Sequence, residues 1–292
     1  MKRSFLKLHI AILLAGLTGV LGRLITLDEG LLVLYRMGIS SLAMFAIASL
    51  GRNLLMPART DLLRLLGTGG IVALHWVLFY GSIKYANVSI ALVCFSTVGF
   101  FTSILDPIIT GRRWLIRELL LGCAVMLGIW LIFSFDAAFR TGILLGLVSS
   151  FMAALFTVLN KILLRHHTAE SLTRWEMTGG WLLLTALLPF WLHWFPASRL
   201  VPTLSDLGWL LFLGLFCTVF AFRLSMDALK EISPFTVNLS YNLEPVYGIL
   251  LAFVLFEENK YLGKGFLPGM LIILATVVIQ TLLAWRERRP RG

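Results

Sequence analysis

The sequence predicts an all-α integral membrane protein with ten transmembrane helices in two inverted five-helix repeats. Three observations lead to this fold class: the low charge content, the number of long apolar runs and a motif pattern that occurs twice. Hydrophobic residues make up 59% of the 292 residues, charged residues only 14%, and the mean hydropathy is +0.89. A soluble domain has about 25% charged residues. The composition therefore indicates a chain that lies mostly within a bilayer.

Apolar runs of about 20 residues, the length that crosses a bilayer as a helix, define the predicted spans. They cover residues 6–26, 31–51, 62–84, 88–110, 115–135, 142–164, 171–193, 206–229, 233–256 and 265–285. The first run begins with basic residues like a signal peptide, but no small-residue cleavage site follows it, so we interpret it as an uncleaved span. The connections are short, which leaves no room for an inserted soluble domain.

The basic residues give the predicted orientation. Of the 25 Lys and Arg residues, five lie within or at the edges of spans, fifteen lie in segments on the side of the N-terminus, and five lie on the other side. Because Lys and Arg are enriched in cytoplasmic loops, both termini are predicted to be cytoplasmic. The net charge of +10 is then mainly a topology signal with contacts to anionic membrane lipids, and it does not indicate a nucleic-acid partner.

Several classes of site find no support in the sequence. Cys94, Cys123 and Cys217 lie in apolar runs without C-x-x-C spacing, which predicts neither a disulfide framework nor a zinc site. His166 and His167 lie together in a loop and lack further ligands at metal spacing. No enzyme motif and no nucleotide-binding loop occurs. We therefore expect no cofactor, no metal and no ATP-driven pumping by this chain alone.

An internal repeat in the sequence is the strongest evidence for the predicted fold and function. Lys84–Ser89 aligns with Lys230–Phe235, and the same offset of 146 residues aligns Ser96–Phe101 with Asn242–Tyr247. The predicted halves are residues 1–137 and 138–292, with five spans each. Since five is odd, the second half enters the membrane in the opposite orientation. Inverted repeats with a binding site at the bilayer midplane are typical of secondary transporters.

The repeated motifs also resemble a known family. G-S-I-K-Y-A-N-V-S and S-T-V-G-F-F-T-S-I-L in the first half, and L-E-P-V-Y-G-I-L-L-A-F-V-L-F-E-E in the second, are similar to the EamA-type domain of the drug/metabolite transporter superfamily. Arg36 resembles an arginine of that family in span two. The sequence differs from the pattern at Gly99 and Arg112, where a proline and a glutamate are usual. The resemblance implies a central cavity in an inner-membrane protein and export of small metabolites, often amino acids or related compounds.

Span nine holds the strongest candidate site. Asn238, Tyr241, Asn242 and Glu244 lie in its middle, followed by Pro245, which removes one N–H from the helix ladder. An ionisable group at that depth costs at least ~2.5 kcal/mol and normally faces a cavity or a partner. Glu244 is interpreted as a proton acceptor during transport or as a carboxylate that meets a substrate amino group. The alternative is a structural carboxyl bonded to backbone freed by Pro245 or to a neighbouring helix.

Other polar and aromatic residues are predicted at a similar depth. His75 is a candidate proton partner or a packing histidine. Trp76, Tyr80 and Tyr241 are candidates for an aromatic wall, or for ordinary helix packing. Ser96 and Thr18 complete the predicted polar belt.

Three further charged residues lie closer to the membrane surfaces. Arg36 is predicted either to hold a substrate carboxylate or to pair with Asp28 or Glu29 at the start of its helix. Arg223 and Asp227 are four residues apart on span eight, so they can form an ion pair on one helix face, which suggests a gate or an anchor.

The sequence-based hypothesis is a secondary transporter or facilitator whose partners are a small-molecule metabolite, membrane lipids and, as a further hypothesis, protons. Two alternatives remain open: a scaffold or lipid-handling protein with a filled centre, and a membrane enzyme acting on lipid-linked substrates. A cavity that reaches Glu244 distinguishes transport from the scaffold.

Overall fold

A computed structural model of the protein describes residues 2–51, 56–133, 139–197, 199–261 and 265–286. The α-helices are α1 (Lys2–Leu24), α2 (Glu29–Leu50), α3 (Arg59–Tyr85), α4 (Val88–Phe95), α5 (Val98–Thr110), α6 (Ile116–Phe133), α7 (Arg140–Leu163), α8 (Ala169–Trp194), α9 (Leu204–Gly214), α10 (Ala221–Glu231), α11 (Pro234–Ser240), α12 (Glu244–Phe256) and α13 (Phe266–Arg286). A π-helical segment (Leu215–Phe220) joins α9 to α10, and short 3₁₀ turns cover Tyr241–Leu243 and Glu258–Tyr261.

The all-helical class is confirmed, whereas the predicted count of ten spans stays a prediction. Among the described residues, six helical segments are long and apolar enough to cross a membrane. They are Arg3–Leu24, Glu29–Leu50, Arg59–Tyr85, Val88–Thr110, Arg140–Leu163 and Leu204–Glu231, with shorter apolar helices at Glu244–Phe256 and Phe266–Thr276. The remaining spans stay predictions.

Side-chain caps set several helix starts, because the first N–H groups of a helix lack partners within it. Asp28 accepts a hydrogen bond from the Leu31 N–H at 2.9 Å at the start of α2. Thr168 caps α8, and Thr203 with Asp206 forms a capping box at the start of α9. These polar residues mark the sequence positions where apolar runs begin.

Two predicted spans are broken at equivalent positions of the repeat. Span four is divided into α4 and α5 at Ser96 and Thr97, and span nine is divided into α11 and α12 at Tyr241–Leu243. Pro245 accounts for the second break, because it donates no N–H. The first break has no proline; the Thr97 hydroxyl instead donates to the Cys94 carbonyl at 2.8 Å, and such local bonds bend helices.

The packing of the helices follows the two halves of the sequence. α3 packs against α7 and α8, while its counterpart in the second half, α9 to α10, packs against α1 and α2. α4 and α5 pack against α7 as α12 packs against α1, and α6 packs against α13. Exchanging the halves therefore maps these pairs onto one another, as a two-repeat fold requires.

Glycines allow the closest helix crossing, between α3 and α8. A Cβ atom on Gly69 would lie 2.1 Å from the Glu176 carbonyl oxygen, and one on Gly179 would lie 2.3 Å from that of Leu66. Small residues let helix backbones approach in this way within membranes. Glu176, which lies at this crossing, is fully buried.

Candidate functional site

A cavity lies between α1, α2, α3, the end of α4, α7, the π-helical segment, α10, α11 and α12. Its volume is about 90 Å³, several times the space that one water molecule needs. Seven of the sequence-predicted residues line it: Thr18, Arg36, His75, Trp76, Asn238, Tyr241 and Glu244. Phe79, Phe95, Phe156 and Phe222 form much of the remaining wall. The cavity is thus aromatic, with a guanidinium and a carboxyl facing it.

Arg36 is fixed in place by three neighbours. Its Nε donates to the Thr218 hydroxyl at 2.8 Å and its Nη1 donates to the Tyr80 hydroxyl at 2.7 Å. The guanidinium carbon lies 3.7 Å from the ring centroid of Trp76, a close cation–π contact. Nη2 takes part in neither hydrogen bond. The predicted pairing of Arg36 with Asp28 or Glu29 is wrong, because Arg36 points into the bundle and not along α2 towards its start.

Glu244 is the first residue of α12 and directly follows the break in span nine. The side chain is 4% exposed and lines the cavity. Towards the described residues, its carboxyl makes no hydrogen bond and no ion pair within 4.0 Å. Arg36 is the other buried residue with a charged side chain that lines this cavity. This placement favours a carboxyl that faces a ligand over the alternative of a carboxyl bonded to backbone or to a neighbouring helix.

His75 is held among aromatic rings. Its Nδ1 lies 2.9 Å from the Ser149 carbonyl oxygen, and the Ser149 hydroxyl donates to the His75 carbonyl at 2.9 Å. The ring lies 5.5 Å from the rings of both Phe95 and Phe156. With Nδ1 matched to a carbonyl and the ring packed, this geometry favours the packing interpretation of His75 over the proton partner.

Asn238 ties three parts of the bundle together beside the cavity. Its Nδ2 donates to the Thr102 hydroxyl at 2.8 Å, and its Oδ1 accepts from the Thr157 hydroxyl at 3.2 Å. Tyr241 also lines the cavity, as does Ser225 of α10, and α10 packs against α11. These contacts join α5, α7 and α10 to the broken span nine.

Tyr80, Ser96 and Asn242 are the remaining residues of the predicted substrate site. Tyr80 is fully buried behind Arg36, and a Cβ on Gly22 would lie 2.2 Å from its ring. Ser96 is also fully buried, with its hydroxyl 3.4 Å from the Leu92 carbonyl. Neither is among the residues that line the cavity. The side chain of Asn242 lies outside the described part of the structure.

The predicted pair of Arg223 and Asp227 is not formed, because charges from other helices compete for both residues. Arg223 Nη2 lies 3.6 Å from Glu170 of α8, and Asp227 pairs with Lys7 at 2.7 Å and with Lys230 at 3.3 Å. These ion pairs lie where the start of α1 meets the end of α10, which we call the Lys7 end. Arg223 and Asp227 line an open groove there and do not line the cavity.

The opposite end of the bundle, which we call the Glu258 end, is closed around one carboxylate. Glu258 is 1% exposed and accepts from the Ser89 N–H at 2.9 Å, the Ser89 hydroxyl at 2.6 Å and the Val88 N–H at 3.2 Å. It also forms an ion pair with Arg23 of α1. Glu258 thereby joins α1, the start of α4 and the end of α12 across the repeat boundary.

Three polar residues of the second half belong to this site but were not predicted from the sequence. Thr218 holds Arg36, and Thr157 and Ser225 line the cavity. Thr218 lies in the middle of span eight, so the depth estimate that selected Glu244 would also have found it. The signal for Thr157 was weaker, since one hydroxyl in an apolar helix commonly bonds its own backbone.

Comparisons with known proteins identify the family. The model of the EamA-like transporter family matches residues 3–134 and 140–282, which is most of the chain in two copies. A solved structure described as "Crystal structure of protein" has 17% identity and a TM-score of 0.70, and the match covers 96% of this chain and 98% of that one. At this identity the similarity concerns the fold alone. No curated protein matches.

Proposed function

The chain belongs to the EamA-like transporter family, and we propose that it is a secondary transporter or facilitator that exports small zwitterionic metabolites, foremost amino acids or related compounds. The observation that carries this proposal is the pair Arg36 and Glu244. Both are buried, both face one cavity, and they form no ion pair with each other among the described contacts. A ligand with one carboxylate and one ammonium group would complement both.

The chemistry of each group fits one end of such a ligand. A planar guanidinium matches a carboxylate, and the bonds from Arg36 to Thr218 and Tyr80 already fix its orientation. Glu244 would accept hydrogen bonds from the ammonium group, so we favour that role over the proton acceptor. The rings of Phe79, Phe95 and Trp76 would contact the apolar part of the ligand.

We propose that ten spans in two inverted repeats enclose this site. The symmetry of the helix packing and the paired breaks of spans four and nine support the arrangement. Broken helices at a site between repeats are the usual binding device of inverted-repeat transporters. The family model matches the chain in two copies, which also supports two repeats.

Alternating access would then use the two ends differently. With both termini cytoplasmic, as the charge distribution predicts, the Lys7 end faces the cytoplasm and the Glu258 end faces outwards across the inner membrane. Metabolite would enter between α10 and α11, where Leu229 and Val237 line the cavity, while Glu258 keeps the outer end closed. Release would require Glu258 to leave Ser89 and Arg23.

A binding screen followed by transport in proteoliposomes tests the proposal. Purified protein is screened by thermal shift against amino acids, nucleosides and organic acids, and the strongest ligand is then measured in counterflow exchange. We expect amino acids to give the largest shifts and Glu244→Gln to abolish exchange. Glu257→Gln is the matched control, because this substitution removes the same charge outside the cavity, at a residue that is 67% exposed beside Lys260.

Two results would contradict the proposal. If no zwitterion binds and lipids alone stabilise the protein, the chain is a scaffold or a lipid-handling protein. If Glu244→Gln and Glu257→Gln exchange substrate equally well, the carboxyl in the cavity does not contact the substrate.

A further inference from the structure

A second carboxyl is buried in α8, away from the cavity. Glu176 is 0% exposed and lies at the glycine crossing of α3 and α8, where Gly69 leaves no space for a Cβ atom beside its backbone. The substrate site proposed above does not use it. A carboxyl in such surroundings needs a partner or a proton, because an isolated buried charge is very costly.

The hydrogen-bond partner of Glu176 is Asn160 of α7, which is also 0% exposed. Asn160 Nδ2 lies 3.4 Å from Glu176 Oε2 and 3.5 Å from the sulfur of Met226. In the described part of the structure, Glu176 Oε1 and Asn160 Oδ1 are both buried without a hydrogen-bond partner. Two acceptor oxygens are thus left over in one dry site.

One proton would satisfy both oxygens. The O–H group of a carboxylic acid can donate to the amide Oδ1 while its C=O accepts from the amide Nδ2, so acid and amide form a pair with two hydrogen bonds. An ionised Glu176 cannot do this, since neither Glu176 Oε1 nor Asn160 Oδ1 would then carry a hydrogen. The chemistry of this pair is therefore that of a proton-binding site.

Several charged side chains on the elements around Glu176 contact other groups. Arg174 on the same helix lies against the rings of Phe45 and Trp175, each 5.8 Å away. Lys161 of α7 donates to the backbone carbonyls of Leu229 and Lys230. Arg223 of α10 pairs with Glu170, and Arg64 of α3 pairs with Asp61. Asp227 of α10 is held by Lys7 and Lys230.

The pair is linked to the cavity by side chains. Met226, which contacts Asn160, lines the cavity on α10, and Thr157, one turn from Asn160 on α7, lines it as well. α10 continues the π-helical segment, and such segments are frequent at functional sites. A movement of α10 that opens the cavity would separate Met226 from Asn160 and expose the pair.

We propose that Glu176, paired with Asn160, binds the proton that is coupled to substrate movement, while Glu244 binds the substrate. This proposal rests on the transport function proposed above. The step is a simple protonation: the carboxylate takes one proton from the aqueous side to which the site is open, and releases it on the other side. A second titratable site of this kind lets proton and substrate occupy separate places in one cycle.

Infrared spectroscopy of the protein in membranes reads the proton without any transport assay. We expect wild type to show the C=O band of a buried protonated carboxyl, Glu176→Gln to lose it and Glu244→Gln to retain it. Asn160→Leu is the second variant, since it removes the amide but leaves the carboxyl in place, and it should shift the band. A band that persists unchanged in Glu176→Gln would overturn the proposal.

Transport provides the second readout. In proteoliposomes with an imposed pH gradient, wild type should accumulate the strongest ligand of the binding screen, and Glu176→Gln should lose accumulation while retaining counterflow exchange. Accumulation by Glu176→Gln, or exchange without any proton-driven accumulation in wild type, would overturn the proton role and leave the transport function standing. If wild type exchanges nothing, the transport function fails, and with it the coupling role.

Discussion

Replacing Glu258 by glutamine should open the Glu258 end of the bundle. The carboxylate accepts three hydrogen bonds from Val88 and Ser89 and pairs with Arg23 while only 1% exposed. The amide keeps the shape but has one acceptor oxygen and turns an NH₂ group towards backbone donors. It also removes a negative charge from the start of α4, where the helix dipole favours one.

The size of the effect follows from the hydrogen bonds. Bonds to a charged group contribute about 1.5–3 kcal/mol, and since 1.4 kcal/mol is a factor of ten, the loss shifts the closed-to-open equilibrium by about 10- to 100-fold. The ion pair adds little, because Arg23 is 41% exposed and exposed pairs contribute about 0–1 kcal/mol. A shift of this size is large for two conformations that differ by a few kcal/mol.

A native cysteine reports the opening. Cys217 lines the cavity, whereas Cys94 is fully buried and Cys123 is exposed, so Cys94→Ala and Cys123→Ala leave one reporter. A membrane-impermeant thiol reagent applied from the Glu258 side should modify Cys217 faster in Glu258→Gln than in the parent. Glu257→Gln, with the same charge change at an exposed position, is the control. Equal rates in both variants and the parent would refute the role of Glu258 in closing this end of the bundle.

Two other substitutions test the cavity and the helix crossing. Arg36→Lys keeps the charge but cannot pair with a carboxylate through two nitrogens, so ligand affinity measured by calorimetry should fall about tenfold or more. Arg64→Lys, at a residue that is 72% exposed, is the control and should bind ligand as wild type does. Equal affinities in the two variants would refute a contact between Arg36 and a carboxylate. Gly69→Ala should lower the thermal unfolding temperature, because its Cβ would meet the Glu176 backbone at 2.1 Å, and overpacking costs about 1–3 kcal/mol. Gly67→Ala, with nothing within 4 Å of the added Cβ, is its control, and equal unfolding temperatures would show that the crossing is looser than described.

Much of the helical framework could be predicted because apolar length and capping residues are local signals. The apolar run at 31–51 forms the helix Glu29–Leu50, and the run at 171–193 forms the helix Ala169–Trp194. The break at Tyr241–Leu243 could be expected from Pro245. The matching break at Ser96 could not, because hydroxyl bonds to the backbone replace the proline there.

The partners of buried charges could not be predicted, because they come from distant helices. Arg223 and Asp227 have ideal spacing on one helix, yet Glu170 and Lys7 bind them instead. Glu176 lies near the start of the span predicted at 171–193 and was not among the predicted site residues. Its burial comes from the crossing of α3 and α8, and no pattern within α8 encodes that approach.

The central claim is that one cavity recognises both charges of a zwitterion. It is tested most directly by counterflow exchange of the strongest amino acid ligand, of its amide, which lacks the carboxylate, and of its N-acetyl derivative, which lacks the ammonium group. We expect wild type to exchange the amino acid and neither derivative, since Arg36 or Glu244 would then face no opposite charge. Exchange of either derivative at the rate of the parent amino acid would contradict it.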